Sequence, residues 1–199
     1  MINQIASSVS NCWVKKNIIS DEYREVYQYG LELMISSFIG VLLISIVGIL
    51  FFSIVDAIIF IIVFSSVRSR SGGYHADSYL KCNITTLTAF TASVLLAYNV
   101  PISKLSYGLV AIVGFIILSI LSPIENEYKP IDKKERPKHK LLSIILFEGF
   151  AILSYLIIES YSVKSKMIIS TLTLILAFVL IGHIKQKNNE REKTNENNL

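Results

Sequence analysis

Charge is scarce in this chain. Soluble domains carry about 25% Asp, Glu, Lys and Arg, whereas these residues make up 17% of the 199 here. They are also clustered, which leaves long stretches almost free of them and excludes an ordinary soluble domain. Cysteine is scarcer still: Cys12 and Cys82 are the only two, too far apart to form a disulfide framework. One cysteine and one histidine in the same loop are too few for a structural zinc, so neither a metal site nor another cofactor is expected. There is no internal repeat and no convincing GxxxG. No basic residue precedes Lys15, and no compact apolar core leads to a small-residue cleavage site, so the N-terminus does not read as a secretory signal.

What is present is apolar. The chain is 52% hydrophobic, and its mean hydropathy is +0.55. Six stretches, 31–52, 55–67, 84–100, 105–121, 141–158 and 167–184, are expected to be membrane spans. The first would reach about 33 Å as a helix, enough to cross. The second is short and carries Asp56, so it reads either as a span or as a helix turning back on the first. Ahead of them, Ile2, Ile5, Ala6, Val9, Cys12 and Trp13 form one apolar stripe at helical spacing. Such a helix, ending in Trp13 and Lys15-Lys16, suits a membrane interface or a packing role on the protein's own loops. The expected fold is therefore all-α: a polytopic membrane protein with six transmembrane helices and an N-terminal amphipathic interfacial helix. Residues 1–184 form a single integral-membrane domain, comprising an amphipathic region at 1–30 and polar loops at 68–83 and 122–140. Residues 185–199 form a polar tail expected to be disordered.

Charge position sets the topology. With six spans, only Lys104, Lys164 and Lys166 of the 19 Lys and Arg fall on one side. If 55–67 did not cross, Lys15, Lys16 and Arg24 would join that minority. The positive-inside rule thus favours six spans, with both termini and both polar loops cytoplasmic. It also accounts for the net charge of +4 without any nucleic-acid partner.

The segment from Arg68 to Cys82, RSRSGGYHADSYLKC, is the richest in chemistry. A thiol, an imidazole and flanking cations are the parts of a thiolate nucleophile. On a continuous helix His75 and Cys82 would stand about 10.5 Å apart along the axis and could not meet. Gly72-Gly73 breaks the helix. A catalytic pair therefore needs Cys82 near a helix start and His75 folded back from the glycine turn. A helix start, with Arg70 or Lys81 nearby, favours a thiolate. The bland reading is a small residue at the end of a span and an interfacial histidine, and spacing alone does not displace it.

The segment Arg70-Ser-Gly-Gly-Tyr-His-Ala, with a cysteine seven residues after the histidine, resembles the signature of the AgrB (accessory gene regulator B) family. Residues 122–136, SPIENEYKPIDKKER, resemble that family's second polar loop, and length and span pattern agree. The resemblance implies a bacterial cell-membrane cysteine endopeptidase that processes the propeptide of a quorum-sensing signal. It implies Cys82 as nucleophile, His75 as base, Arg70 and Gly73 as supports of the site, and an AgrD-like propeptide as partner. A homodimer is implied as well. The mechanism that follows is acylation of Cys82, loss of the C-terminal fragment, and ring closure by a cysteine or serine within the precursor. Arg70 would orient a substrate carboxylate or stabilise the oxyanion. No third triad member stands out; Asp77, Glu125 and Asn126 qualify only by polarity and side of the membrane. Lys129, Lys133, Lys134 and Arg136, with Lys138 and Lys140, either capture an acidic precursor tail or only set topology and touch anionic lipid.

Glu148, about 10 Å into the fifth span, hints at a functional or polar-partner role by its cost alone, and a structural role is the preferred reading. Cys12 reads as packing, and His139 and His183 as interfacial. The competing function is a non-enzymatic exporter or carrier of a peptide or small solute.

Overall fold

The computed structural model describes residues 2–73, 78–124, 132 and 134–196. Over these the chain is helical: α1 (Ile2–Lys15), α2 (Arg24–Phe51), α3 (Ile54–Ser71), α4 (Tyr79–Asn99), α5 (Lys104–Leu121), α6 (Arg136–Leu156) and α7 (Ser162–Glu196). A short 3-10 turn, Asp21–Tyr23, leads into α2, and no strand occurs among the described residues. The starts follow from local chemistry. Ser53, Ser78 and Ser103 each accept a hydrogen bond from the backbone N–H two or three residues on, which closes the first turns of α3, α4 and α5. Pro137 sits in the first turn of α6, where its missing N–H costs nothing.

α3 and α7 form the middle of the bundle. α7 packs against α3, α4, α5 and α6, and α3 also packs against α2 and α6. The core between them is aromatic and aliphatic. Phe60 stacks on Phe64 at 4.9 Å and meets Phe90 edge-on at 5.4 Å, while Phe64 meets Phe178 at 5.8 Å. Small hydroxyl residues sit where helices approach closely, as expected in lipid. Ser165 Oγ, for example, lies 2.9 Å from Tyr107 Oη and 2.6 Å from the Ser154 carbonyl oxygen, joining α5, α6 and α7. The outer surface is apolar: Met34, Phe38, Leu50 and Phe51 on α2 are each at least 67% exposed. Such a patch is untenable in water and natural against acyl chains.

Five helices, α2 and α4 to α7, are long and apolar enough to cross a membrane. α3 is not among them, because its 18 residues carry Asp56, Arg68 and Arg70. It nevertheless traverses the bundle. Near its start, the fully buried Asp56 accepts a hydrogen bond from Tyr98, near the end of α4, at 2.9 Å and pairs with Lys164, near the start of α7, at 2.7 Å. At its other end, Arg68 lies over the Phe64 and Phe178 rings, with centroids at 5.4 and 4.9 Å. Hence α3 does not turn back halfway; it runs antiparallel to α4 and parallel to α7. Composition misses it because its polar groups are partnered by other helices rather than by lipid.

The bundle has two chemically distinct ends. Lys104, Lys164, Lys166 and Glu159 lie with Asp56 at one end, where an exposed Lys104–Glu159 pair spans 2.7 Å. Lys104 holds the Glu159 carboxyl below the usual carboxylate range, chiefly through their hydrogen bond. The remaining described Lys and Arg belong to the segments that meet at the Cys82 end.

Two details differ from expectation. α7 continues as a helix through the polar stretch to Glu196, where disorder was expected. A helix already nucleated in the bundle adds one hydrogen bond per residue without a new nucleation cost. Cys12 is exposed rather than packed, because α1 buries the ridge of Ala6 and Ser10 against α2 and turns Ile5 and Cys12 outward.

Candidate functional site

The site is built from the end of α3, the start of α4 and a stripe along α2. α3 closes at Ser71, with the Gly72 N–H donating to the Arg68 carbonyl at 3.1 Å. Gly72 and Gly73 then take φ of +70° and +131°, a region that favours glycine. Space demands glycine too. A Cβ on Gly72 would strike the Ile124 carbonyl, and one on Gly73 would lie 3.1 Å from the Phe178 carbonyl oxygen and 3.2 Å from Arg68 Nη1. The turn is fastened from outside. The Ile124 N–H donates to the Ser71 carbonyl at 3.0 Å. Ser122 Oγ reaches that carbonyl at 3.5 Å and stands 3.0 Å from Ser143 Oγ on α6. The two polar segments singled out in the sequence, 68–82 and 122–136, therefore meet.

The next four residues, 74–77, lie outside the described residues, so the expectations placed on His75 and Asp77 fall there. The chain resumes at Ser78, the N-cap of α4. Ser78 Oγ accepts from the Lys81 N–H at 3.3 Å, and its carbonyl accepts from the Cys82 N–H at 2.9 Å. Cys82 thus stands in the first turn of a capped helix, partly buried, as a free thiol. This position at a helix start is the one the catalytic reading requires.

Cys82 opens onto a cavity of about 550 Å³ between α2, α3 and α4. α2 contributes one continuous stripe from Tyr29 to Ile44, residues recurring at three- and four-residue spacing over about 22 Å. The Cys82 end is polar, with Glu32, Ser78 and Tyr79. The other end is apolar, with Val41, Ile44 and Phe60. Glu32 is the polar hub. Its buried carboxylate accepts from Tyr79 Oη at 2.8 Å, Asn3 Nδ2 at 2.8 Å and Gln28 Nε2 at 3.2 Å. One acid thereby ties α1 and α2 to the turn that carries Cys82.

Of the other expected site residues, Gly73 is buried in the turn, whereas Arg70 is exposed on the last turn of α3. Arg68 is the arginine directed inward: its Nη1 lies beneath Gly73, and its guanidinium stands over the Phe64 and Phe178 rings. Lys134 and Arg136 are exposed at the start of α6, while Lys129, Lys133, Glu125 and Asn126 lie outside the described residues. Glu148 sits on α6 with Oε1 buried and no hydrogen-bond partner among the described residues. No cluster of metal-ligating side chains occurs among the described residues. Sequence reasoning missed Arg68, Glu32 and Tyr79. Glu32 carried a usable signal, since it is an acid at the head of an apolar span, the criterion applied to Glu148.

These features define a class: an all-helical membrane protein with a free thiol at a helix start beside an internal cavity. The chain belongs to the accessory gene regulator B family, which it matches over residues 2–185. It is 26% identical over 140 residues to an accessory gene regulator protein B of Staphylococcus saprophyticus, covering 70% of this chain and 74% of that one. It is 28% identical over 172 residues to a putative AgrB-like protein of Clostridium perfringens, covering 78% and 79%. To the accessory gene regulator protein B of Staphylococcus aureus it is 22% identical over 155 residues, covering 78% and 82%. No solved structure matches it.

Proposed function

We propose that this chain is a membrane cysteine endopeptidase that processes an AgrD-like propeptide into a cyclic quorum-sensing peptide. The observation that carries the reading is Cys82 in the first turn of a capped helix, opening onto a cavity inside the bundle. In this reading the Cys82 end faces the cytoplasm, in keeping with the positive-inside rule.

His75 takes the Cys82 proton, and the thiolate attacks a carbonyl in the C-terminal part of the precursor. The C–N bond breaks, His75 returns its proton to the leaving amine, and the N-terminal part stays on Cys82 as a thioester. A thiol or hydroxyl within the precursor then attacks that thioester, closes the ring and restores the Cys82 thiol. Exchange of one activated acyl group for another needs no added energy source when the product is a thiolactone. Hydrolysis is the competing fate, and a site recessed between helices restrains it. Gly72, Gly73 and the clamp to Ile124 hold the turn, with the Arg68 guanidinium beneath Gly73. Lys129, Lys133, Lys134 and Arg136 offer cations to an acidic leaving fragment.

The test is co-expression with a precursor encoded beside this chain, followed by mass spectrometry of the extract. A precursor fragment or a Cys82 thioester adduct is expected in the wild type and absent from Cys82→Ser and His75→Ala. Cleavage surviving in Cys82→Ser overturns the reading.

A further inference from the structure

The cavity beside Cys82 is more than a gap left by packing. Its floor is apolar, yet the hydroxyl of the buried Ser36 and the carboxamide of the half-buried Asn83 line it without a hydrogen bond among the described residues, next to the exposed Ser37. Asn83 directly follows Cys82 and faces α2, its Oδ1 lying 3.0 Å from where a Cβ on Gly40 would stand. Unpartnered amide and hydroxyl groups within an apolar bundle are costly, and a peptide backbone offers both the donors and the acceptors they lack. A lipid chain would satisfy the apolar floor and leave these groups unpaired.

Depth and connectivity decide which part of a peptide fits. Cys82 and Ser78 stand at the polar end, and the α2 stripe runs inward from there to Ile44. The volume falls within the roughly 300–1,000 Å³ range of small-ligand pockets, which take a few side chains and not a folded domain. In the proposed reaction one half of the substrate leaves toward water and the other stays bound through its carbonyl to the Cys82 sulfur. The retained half is the one held beside a recess that is continuous with that sulfur and extends to the apolar side chains of Phe60 and Ile44.

From this, and resting on the peptidase reading, we propose that the cavity is the acyl-side subsite. It takes the apolar side chains immediately N-terminal to the scissile carbonyl, and Asn83 pairs with the peptide backbone of that segment. The subsite would make Cys82 selective for apolar acyl groups, and it would keep the thioester among apolar side chains until the ring closes.

The test uses full-length protein in lipid nanodiscs with Cys12→Ser, which leaves Cys82 as the sole thiol. Its alkylation is followed with N-acetyl-trileucyl chloromethyl ketone and with N-acetyl-triglycyl chloromethyl ketone, which differ only in side chains. Trileucyl should react at least about tenfold faster, the ratio expected when one apolar side chain is buried. Filling the cavity with Ile61→Phe or, independently, Ser37→Trp should collapse that ratio whatever it does to the triglycyl rate, with the iodoacetamide rate reporting on Cys82 itself. Asn83→Leu should slow both peptides and leave iodoacetamide unaffected. Equal rates for the two peptides overturn the proposal. So does a trileucyl preference seen in short-chain detergent that disappears in nanodiscs, which would assign the cavity to lipid. Cleavage of a precursor by Cys82→Ser defeats the peptidase reading whatever the alkylation ratio, so the two failures are separable.

Discussion

Removing the carboxylate of Glu32 should loosen two helices at once. Its oxygens accept from α1 through Asn3, from α2 through Gln28 and from the first residue of α4 through Tyr79, at 2.8, 3.2 and 2.8 Å. Hydrogen bonds to a charged group contribute about 1.5–3 kcal/mol each, and stranded donors cost more where water cannot reach them. Asn3 is exposed, and Gln28 and Tyr79 are partly exposed, so these donors recover much of their loss to water. For Glu32→Ala a total near 3 kcal/mol is therefore expected. If that energy holds the ends of α1 and α4 closed, amide protection there should fall on the order of a hundredfold, since about 1.4 kcal/mol corresponds to tenfold. Hydrogen exchange in nanodiscs reads it directly, with Ile2–Lys15 and residues 79–83 as reporters and α5 as the internal control. Asn3→Ala should free α1 alone, and Tyr79→Phe should free the α4 turn alone. Unchanged exchange at both reporters in Glu32→Ala would refute the hub. Loss of protection throughout the bundle would refute its local character.

Further outcomes follow from other contacts. Gly72→Ala should drive residues 71–73 away from 122–124, at a cost of about 1–3 kcal/mol from backbone strain alone, with Cys82 alkylation altered and the melting temperature lowered. Asp56→Ala removes the partner of Lys164. Breaking a buried pair costs about 3–5 kcal/mol, reduced here because Lys164 is 28% exposed; a drop in melting temperature measured in detergent checks it, and Asp56→Asn should recover part through Tyr98. By contrast, Lys104→Ala should leave the melting temperature unmoved, since its pair with Glu159 is open to water. Because that pair lowers the folded-state pKa of Glu159, its small stabilisation is present above the usual carboxylate range and is lost as pH falls through the lowered value. A carboxyl NMR titration of Glu159 in wild type and Lys104→Ala shows the shift.

The helical architecture was legible because apolar runs and clustered charge are properties of single segments. The amphipathic α1 and the break at Gly72-Gly73 were readable for the same reason, whereas the third span was begun at residue 84, after Cys82, and α4 starts at Tyr79. What sequence could not supply was pairing across the fold. Nothing in the spacing of Ser71 and Ile124, or of Glu32 and Tyr79, announces that they touch. Arg70 was named because it matches the family motif, and Arg68 was not named as a site residue. Two residues on a helix are about 200° of rotation, however, and that rotation turns Arg70 outward and Arg68 inward. α3 was read as doubtful because its apolar run is short and carries Asp56, when Asp56 is satisfied by Tyr98 and Lys164. Its membership in the bundle lies in contacts and not in its own composition.

The Asp56 cluster has a mechanical consequence. It pins α3, α4 and α7 together at the end of the bundle farthest from Cys82, while the cavity separates α2 from α3 and α4 along their length. A lever fixed at one end and notched at the other has its fulcrum chosen for it. α3 and α4 therefore part least at the ion pair, whereas α2 is held to α4 at the thiol end by the Glu32–Tyr79 hydrogen bond, so a guest that spreads α2 away must break that bond first. The long arm from Asp56 to Arg68, about 18 Å, means that a small tilt at the joint moves the tips by ångströms.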